Sequence, residues 1–279
     1  MVEAYVPKNL KAALEMLHEK SLRIVAGGTD MLIQNRNRSG LPINFKSDIL
    51  YVFDLEELKR IEEDSEFLYI GASCSLESIL ENKLTPELLK MTILEMASPA
   101  IRNTGTLAGN IANASPAGDG IVTLVLEDAL LEIQSINHLR REKVQDFIQG
   151  VRKINLNSDE LITKIIIPKV TFDKAYFKKV GPRLSDAISK VAFAGAIKFE
   201  DTIVKDFRIC LGAVNIKMVR DSAIEKKYIG KTKKELQGLI SQILNDYSPL
   251  IKPIDDQRSN KEYRKQVSLN LIQEFIENL

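Results

Sequence analysis

The sequence predicts an α+β protein in two domains, the second smaller than the first. Three observations carry this reading. At 279 residues the chain reaches the length, roughly 250–300 residues, at which a single hydrophobic core stops growing. Short apolar runs interleave with helical patterns through the first part. Beyond residue 170 the character changes to one long hairpin pattern followed by capped helices.

Taken in order, Leu10, Ala13, Leu14 and Leu17 recur at helical spacing and mark a first amphipathic helix. "LRIVAGGTD" (22–30) is a short apolar strand running into a double-glycine turn. "DILYVFDL" (48–55) and "EFLYIGAS" (66–73) read as further strands, the second leading to a helix near Leu76–Leu80. Thr85 and Pro86 open the next helix, with a hydroxyl for the cap, proline at the first helical position and Glu87 in the first turn. That helix is expected to end near Ser98–Pro99. "IVTLVLEDALLEI" (121–133) and "LITKIIIP" (161–168) read as strands, and a domain boundary near Lys169–Asp173 divides the chain into 1–169 and 170–279. "VAFAGAIKFEDTIVKDFRICLGAV" (191–214) reads as an antiparallel hairpin. Two capping boxes follow, Thr232 with Glu235 and Ser259 with Glu262.

Composition excludes several functions. The net charge is +1 and Lys and Arg are spread along the chain, so nothing points to nucleic acid as a partner. Cys74 and Cys210 are the only cysteines. They cannot supply a Cys-rich zinc or iron–sulfur site, and each reads as a small apolar filler. His18 and His138 are the only histidines and neither has a metal-ligand neighbour at helical spacing. No metal site and no Ser–His–Asp or Cys–His mechanism is therefore expected. The opening "MVEAYVPKNLKAALEML" has no apolar core of signal-peptide type. The longest apolar stretch is broken by Glu127 and Asp128, well short of the ~20 residues a membrane helix needs. A soluble cytoplasmic protein without membrane insertion is expected.

Arg102 to Asp119, "RNTGTLAGNIANASPAGD", goes nearly neutral in a chain with 28% charged residues. Small residues let backbone approach another group closely, and glycines let amides turn toward it. The stretch is too long for a turn between two strands and looks like a ligand cradle. "IVAGGTD" (24–30) ends a strand in Gly27 and Gly28, followed by Thr29 and Asp30. Successive amides there make a nest for an anion such as pyrophosphate, although an ordinary strand-to-helix turn fits the heptapeptide equally well. Together the two segments could bracket one elongated phosphate-bearing ligand. Gly105, Gly109 and Asn110 would allow close approach, and Asp119 could accept a hydrogen bond from a polyol hydroxyl. A helix-capping aspartate is the plain alternative. There is no G-x-G-x-x-G, and "EKKYIGKT" (225–232) resembles a P-loop only at its end, with Glu225 where the first glycine must stand.

"AGGTDML", "IRNTGTLAGNIANASPAGD", "DELITKIIIP", "GAVNIKMVR" and "DDQRSNKEYRKQV" resemble the FAD-binding (medium) subunit of the xanthine dehydrogenase / carbon monoxide dehydrogenase family, the molybdenum hydroxylases. The likeness runs in order along the whole chain. It implies a vanillyl-alcohol-oxidase (PCMH)-type FAD-binding domain over 1–169 and a CO dehydrogenase flavoprotein C-terminal-like domain over 170–279. It also implies a first pyrophosphate loop of Ile24, Val25, Ala26, Gly27, Gly28, Thr29, Asp30 and Met31. The second loop would be Thr106, Leu107, Ala108, Gly109 and Asn110, with Leu107 near the flavin ring. Asp119, Ile162 and Lys178 match further cofactor-contacting positions. Met96 stands where relatives that face the flavin often carry an aromatic residue. Ala108 replaces a usual second glycine, which a methyl group tolerates only at negative φ.

The resemblance further implies an electron-transfer oxidoreductase chain with non-covalent FAD. A small [2Fe–2S] subunit and a large molybdopterin subunit would be its partners, and NAD⁺ or another acceptor would receive the electrons. The chain itself would supply no general acid or base. Two other readings stay open on the sequence: a stand-alone flavin reductase of the same fold, such as that of UDP-N-acetylmuramate synthesis, and a docking subunit without FAD.

Overall fold

The computed structural model describes residues 2–39, 41–183 and 186–279. The chain opens with β1 (Ala4–Tyr5), α1 (Leu10–Glu19), β2 (Arg23–Val25), α2 (Thr29–Gln34) and β3 (Ile49–Tyr51). The three strands form a parallel sheet in the order β1-β3-β2. α1 carries the chain from β1 to β2. Asn9 caps it by accepting the Ala12 N–H, and the expected Ala13, Leu14 and Leu17 face is buried in one cluster with Leu50 and Val52.

Next come β4 (Ile61–Glu63) and β5 (Phe67–Gly71), then five helices: α3 (Leu76–Glu81), α4 (Glu87–Leu94), α5 (Pro99–Arg102), α6 (Leu107–Asn113) and α7 (Asp119–Leu126). After them stand β6 (Leu130–Gln134), β7 (Leu139–Lys143), α8 (Val144–Phe147), β8 (Ile148–Gly150), β9 (Lys153–Ile154) and β10 (Leu161–Pro168). An antiparallel sheet runs β4-β5-β10-β6-β7. Its central strand β10 is buried at all but Lys164 and Pro168.

Three expectations fail here. Residues 121–126, read as strand, are helix, and the strand begins only at Leu130. All eight residues of α7 are buried, so it has no polar face and no helical period to show, and an apolar run of that length fits strand or helix alike. Thr85 does not cap α4: its hydroxyl donates to the Ile79 carbonyl at 2.6 Å, and Pro86 takes the cap position. α4 stops at Leu94, and Pro99 starts a helix of its own.

The second unit is a three-stranded antiparallel sheet, β11 (Lys174–Val180), β12 (Val191–Glu200) and β13 (Ile203–Gly212), followed by α9 (Ser222–Lys226), α10 (Lys233–Gly238), α11 (Ile240–Tyr247) and α12 (Lys261–Glu277). β12 and β13 form the expected hairpin. Thr232 and Glu235 make the expected capping box. Ser259 does not; Asn260 caps α12 instead, accepting the Tyr263 N–H. The helix therefore starts at Lys261, one residue later than expected.

The two faces of this sheet are built differently. Ala192, Ala194, Ala196 and Cys210 join the core that contains Ile121, Val122 and Val125 of α7. Val191, Phe193, Phe207, Ile209 and Leu211 pack instead with Leu271 and Phe275 of α12. Small residues thus let α7 lie close on one face. A Cβ on Gly212 would stand 2.6 Å from Val122 Cγ2. The second unit also grips both ends of α7. Arg208 Nη1 donates to the Leu126 carbonyl at 3.0 Å and Arg220 Nη1 to that of Val125, satisfying acceptors a helix end leaves open. Lys179 and Ser189 hold Asp119 at the other end.

Candidate functional site

The first glycine segment is shaped by its backbone. A Cβ on Gly27 would stand 1.6 Å from the Thr104 carbonyl oxygen, so the two glycine segments touch there with no side chain between them. Gly28 sits at φ +69°, in the left-handed region. α2 then begins, and Leu32 N–H, bonded to the Gly28 carbonyl at 2.8 Å, is the first to close a helical turn. The amides of Thr29, Asp30 and Met31 therefore have no intrahelical acceptor. Asn113 joins the segments further out, accepting from Gln34 Nε2 at 2.8 Å and donating to Asp30 Oδ2 at 3.1 Å.

The second segment is mostly helix. Thr106 caps α6, its hydroxyl accepting the Gly109 N–H at 2.9 Å. Ala108 keeps a negative φ, the condition its methyl group required. A Cβ on Gly109 would meet only the Thr106 hydroxyl, at 2.9 Å. Asn110 Oδ1 is buried and has no hydrogen-bond partner among the described residues. Before this helix, Arg102 bonds Glu77 through Nε at 2.7 Å and turns Nη1 to the carbonyls of Met96 and Ala97. It thereby fixes the turn at Ala97, a residue held at φ +50°.

These pieces line one cavity of about 820 Å³. It brings together Ile24–Met31, Met96, Thr106, Ala108, Gly109, Asn110, Asp119 and Ile162. Two expected residues do not line it. Leu107 is 1% exposed and turns to the core, where its Cδ1 would be 2.6 Å from a Cβ on Gly120. Lys178 is exposed and away from the cavity; the next residue, Lys179, lines it. Successive strand residues face opposite sides, so a one-residue error changes the face. Arg152, Asn157 and Ser158 also line the cavity. They sit in a short polar connection around β9 that carries no pattern to mark it.

Asp119 is the charged centre of the wall. Lys179 Nζ lies 2.8 Å from its Oδ2, each side chain 7% exposed, and also donates to the Glu95 carbonyl at 2.8 Å. Ser189 Oγ donates to Oδ1 at 2.5 Å. Burial pushes the Asp119 carboxyl up, opposed by Lys179 and Ser189. Both oxygens thus hold the second unit, while an ionised carboxylate keeps lone pairs for a further donor.

Cys74 and Cys210 are buried free thiols, as expected of apolar fillers. Among the described residues no group of three or more His, Cys, Asp or Glu is placed to hold a metal ion, and no helix is long and apolar enough to cross a membrane. "EKKYIGKT" does not form a phosphate loop: Tyr228 is buried, and Thr232 caps α10.

Residues 1–170 match the family model of the FAD binding domain in molybdopterin dehydrogenase, and residues 175–279 that of the CO dehydrogenase flavoprotein C-terminal domain. The chain is 31% identical over 267 residues to the glyceraldehyde dehydrogenase medium chain of Sulfolobus acidocaldarius, covering 93% of this chain and 92% of that one. It is 32% identical over 209 residues to the nicotinate dehydrogenase FAD-subunit of Eubacterium barkeri, covering 71% and 69%. Its fold superposes on a chain of the reconstituted CO dehydrogenase from Oligotropha carboxidovorans with a TM-score of 0.88 at 20% identity, over 98% of this chain and 96% of that one.

Proposed function

The chain belongs to the oxidoreductase family of FAD-binding medium subunits of molybdopterin dehydrogenases, and on that premise we propose that it carries electrons within a molybdenum hydroxylase complex. A small [2Fe–2S] subunit would deliver them, a large molybdopterin subunit would carry the substrate chemistry, and NAD⁺ or another acceptor would take them away. The cytoplasm is the proposed compartment. FAD, when bound, supplies the exchange between one-electron carriers and a two-electron acceptor.

One observation carries the reading of the cavity. Asn110 Oδ1 is a buried acceptor without a partner among the described residues, next to Gly109, which lines the same cavity. Such an oxygen costs free energy unless a donor reaches it, and ribityl hydroxyls and the flavin ring N–H are donors of the right kind. The free amides of Thr29, Asp30 and Met31 would take the diphosphate, with Gly28 giving the turn that aims them. Met96 and Ile162 would give apolar contact to the ring, and Asp119, held by Lys179, would accept from a hydroxyl. The cavity-lining residues described include no His, Cys or Tyr, which supports a non-covalent cofactor.

Purification tests this directly. The chain should be yellow with a flavin spectrum, and acid precipitation should leave all the colour in the supernatant; a coloured pellet would count against non-covalent binding. Alone it should reduce artificial dyes slowly at most and hydroxylate no heterocycle. Addition of the iron–sulfur and molybdenum subunits from the native host should restore turnover. Oxidation of an organic substrate by the isolated chain above about 1 s⁻¹ would favour a stand-alone flavoenzyme.

A further inference from the structure

The motifs "GAVNIKMVR" and "DDQRSNKEYRKQV" contribute no residue to the cavity wall, yet a chain of hydrogen bonds joins them to it. Arg264, on α12, has a side chain 5% exposed. Its Nη2 donates to Asp256 Oδ1 at 2.7 Å and its Nη1 to the Ala213 carbonyl at 3.0 Å. Ala213 in turn donates its N–H to the Pro116 carbonyl at 2.6 Å.

Pro116 belongs to the turn Ser115–Gly118 that joins α6 to α7. The Gly118 N–H closes this turn on the Ser115 carbonyl at 3.0 Å, and the Ala117 N–H bonds Ser115 Oγ at 3.2 Å. Ala117 lines the cavity. The unpartnered Asn110 Oδ1 lies 3.3 Å from where a Gly118 Cβ would stand. Asp119 follows directly. The turn is thus the floor under both polar groups through which the cavity would meet its ligand.

Ala213 sits at φ +64°, a conformation a residue with a Cβ adopts only where its surroundings over-determine it. Here its carbonyl and its amide are both bound, one to Arg264 and one to Pro116. The planar guanidinium fork reaches two acceptors on separate segments, which a single ammonium does less well.

We propose that Arg264 is a positioning residue for the cavity: through Ala213 it holds the Ser115–Gly118 turn, and so Asn110 Oδ1 and Asp119, in the arrangement that receives FAD. The proposal rests on the FAD reading above.

The test uses the full chain freed of flavin and titrated with FAD by fluorescence quenching, with visible circular dichroism of the bound flavin and a thermal melt of the apo form. Arg264→Met should bind FAD at least tenfold more weakly and give an altered flavin dichroism. Arg264→Lys should show the same changes to a smaller extent. Ile272→Ala, a buried change on the same helix that touches none of these bonds, should lower the melting temperature while leaving affinity within about twofold. Unchanged affinity in Arg264→Met, or equal weakening by Ile272→Ala, would overturn the proposal. Arg264→Lys decides the matter by the same readouts if the methionine variant does not fold. A wild-type chain that takes up no flavin would instead remove the FAD reading and this proposal with it.

Discussion

The two glycine segments meet at one cavity but leave it in opposite ways. The first runs into α2, which buries none of its six residues although Met31, Leu32 and Ile33 are apolar. The second runs into α7, which buries all eight. Their glycines differ as well. Gly27 and Gly28 are needed by the chain itself, one for contact with Thr104 and one for a left-handed turn. Gly109 is helical, and little but its own cap would meet a side chain there. Glycines that look equivalent in the sequence serve backbone closure in one segment and, at Gly109, border the cavity with a helix in the other.

Substitutions can break that distinction. The largest effect is expected from Gly27→Ala, whose methyl group would overlap the Thr104 carbonyl; the segments must part, at about 3 kcal/mol or more. Both the melting temperature and flavin content should fall, and a normal value of either would show that the backbones need not touch. Gly28→Val follows, with strain of about 1–3 kcal/mol at positive φ and largely apo protein. Gly109→Val should disturb the Thr106 cap, at roughly 1 kcal/mol, yet also leave largely apo protein because its side chain enters the cavity. Equal melting losses in the two valine variants would erase the contrast between the segments. Ala108→Gly should cost about 0.5–1 kcal/mol of helix stability with flavin content retained.

A separate effect concerns pH and belongs to the buried segment. At the end of α7, burial pushes the Glu127 carboxyl from its ordinary 4.5 up to about 8, with Arg208 opposing. Between these values the folded chain holds a proton that the unfolded chain releases, so stability falls as pH rises from about 5 to 8. Glu127→Gln should flatten that slope in melts across the window. A parallel slope in the variant would mean that another group titrates.

Much of this contrast was legible in the residues. The apolar run before Gly27, the helical spacing of Leu10 to Leu17 and the Thr232 box are local patterns with local causes, and each appears where expected. α7 was not legible, because the polar face that would reveal a helical period is absent from a helix covered on all sides. Leu107 and Lys178 turn away from the cavity for a different reason. Each lies within a residue or two of cavity-lining positions, but which side faces the cavity is set by helix phase and strand register, decided by tertiary packing. The Ser115–Gly118 turn belongs to the segment read as a cradle and brings Ala117 to the cavity wall; its link through Ala213 to Arg264, far along the chain, has no local pattern to mark it.

The buried cysteines carry a practical consequence. Cys74 has its thiol pushed up to about 11 by burial, and Cys210, pressed against α7, is driven higher still. A thiol needs its thiolate to react, so both should be silent toward maleimides at neutral pH. The chain is in effect a blank background for labelling. A single cysteine installed at Ile33, 68% exposed on the helix that follows the first glycine turn, would carry a fluorophore or spin label at a unique address beside the cavity, with no native cysteine to remove.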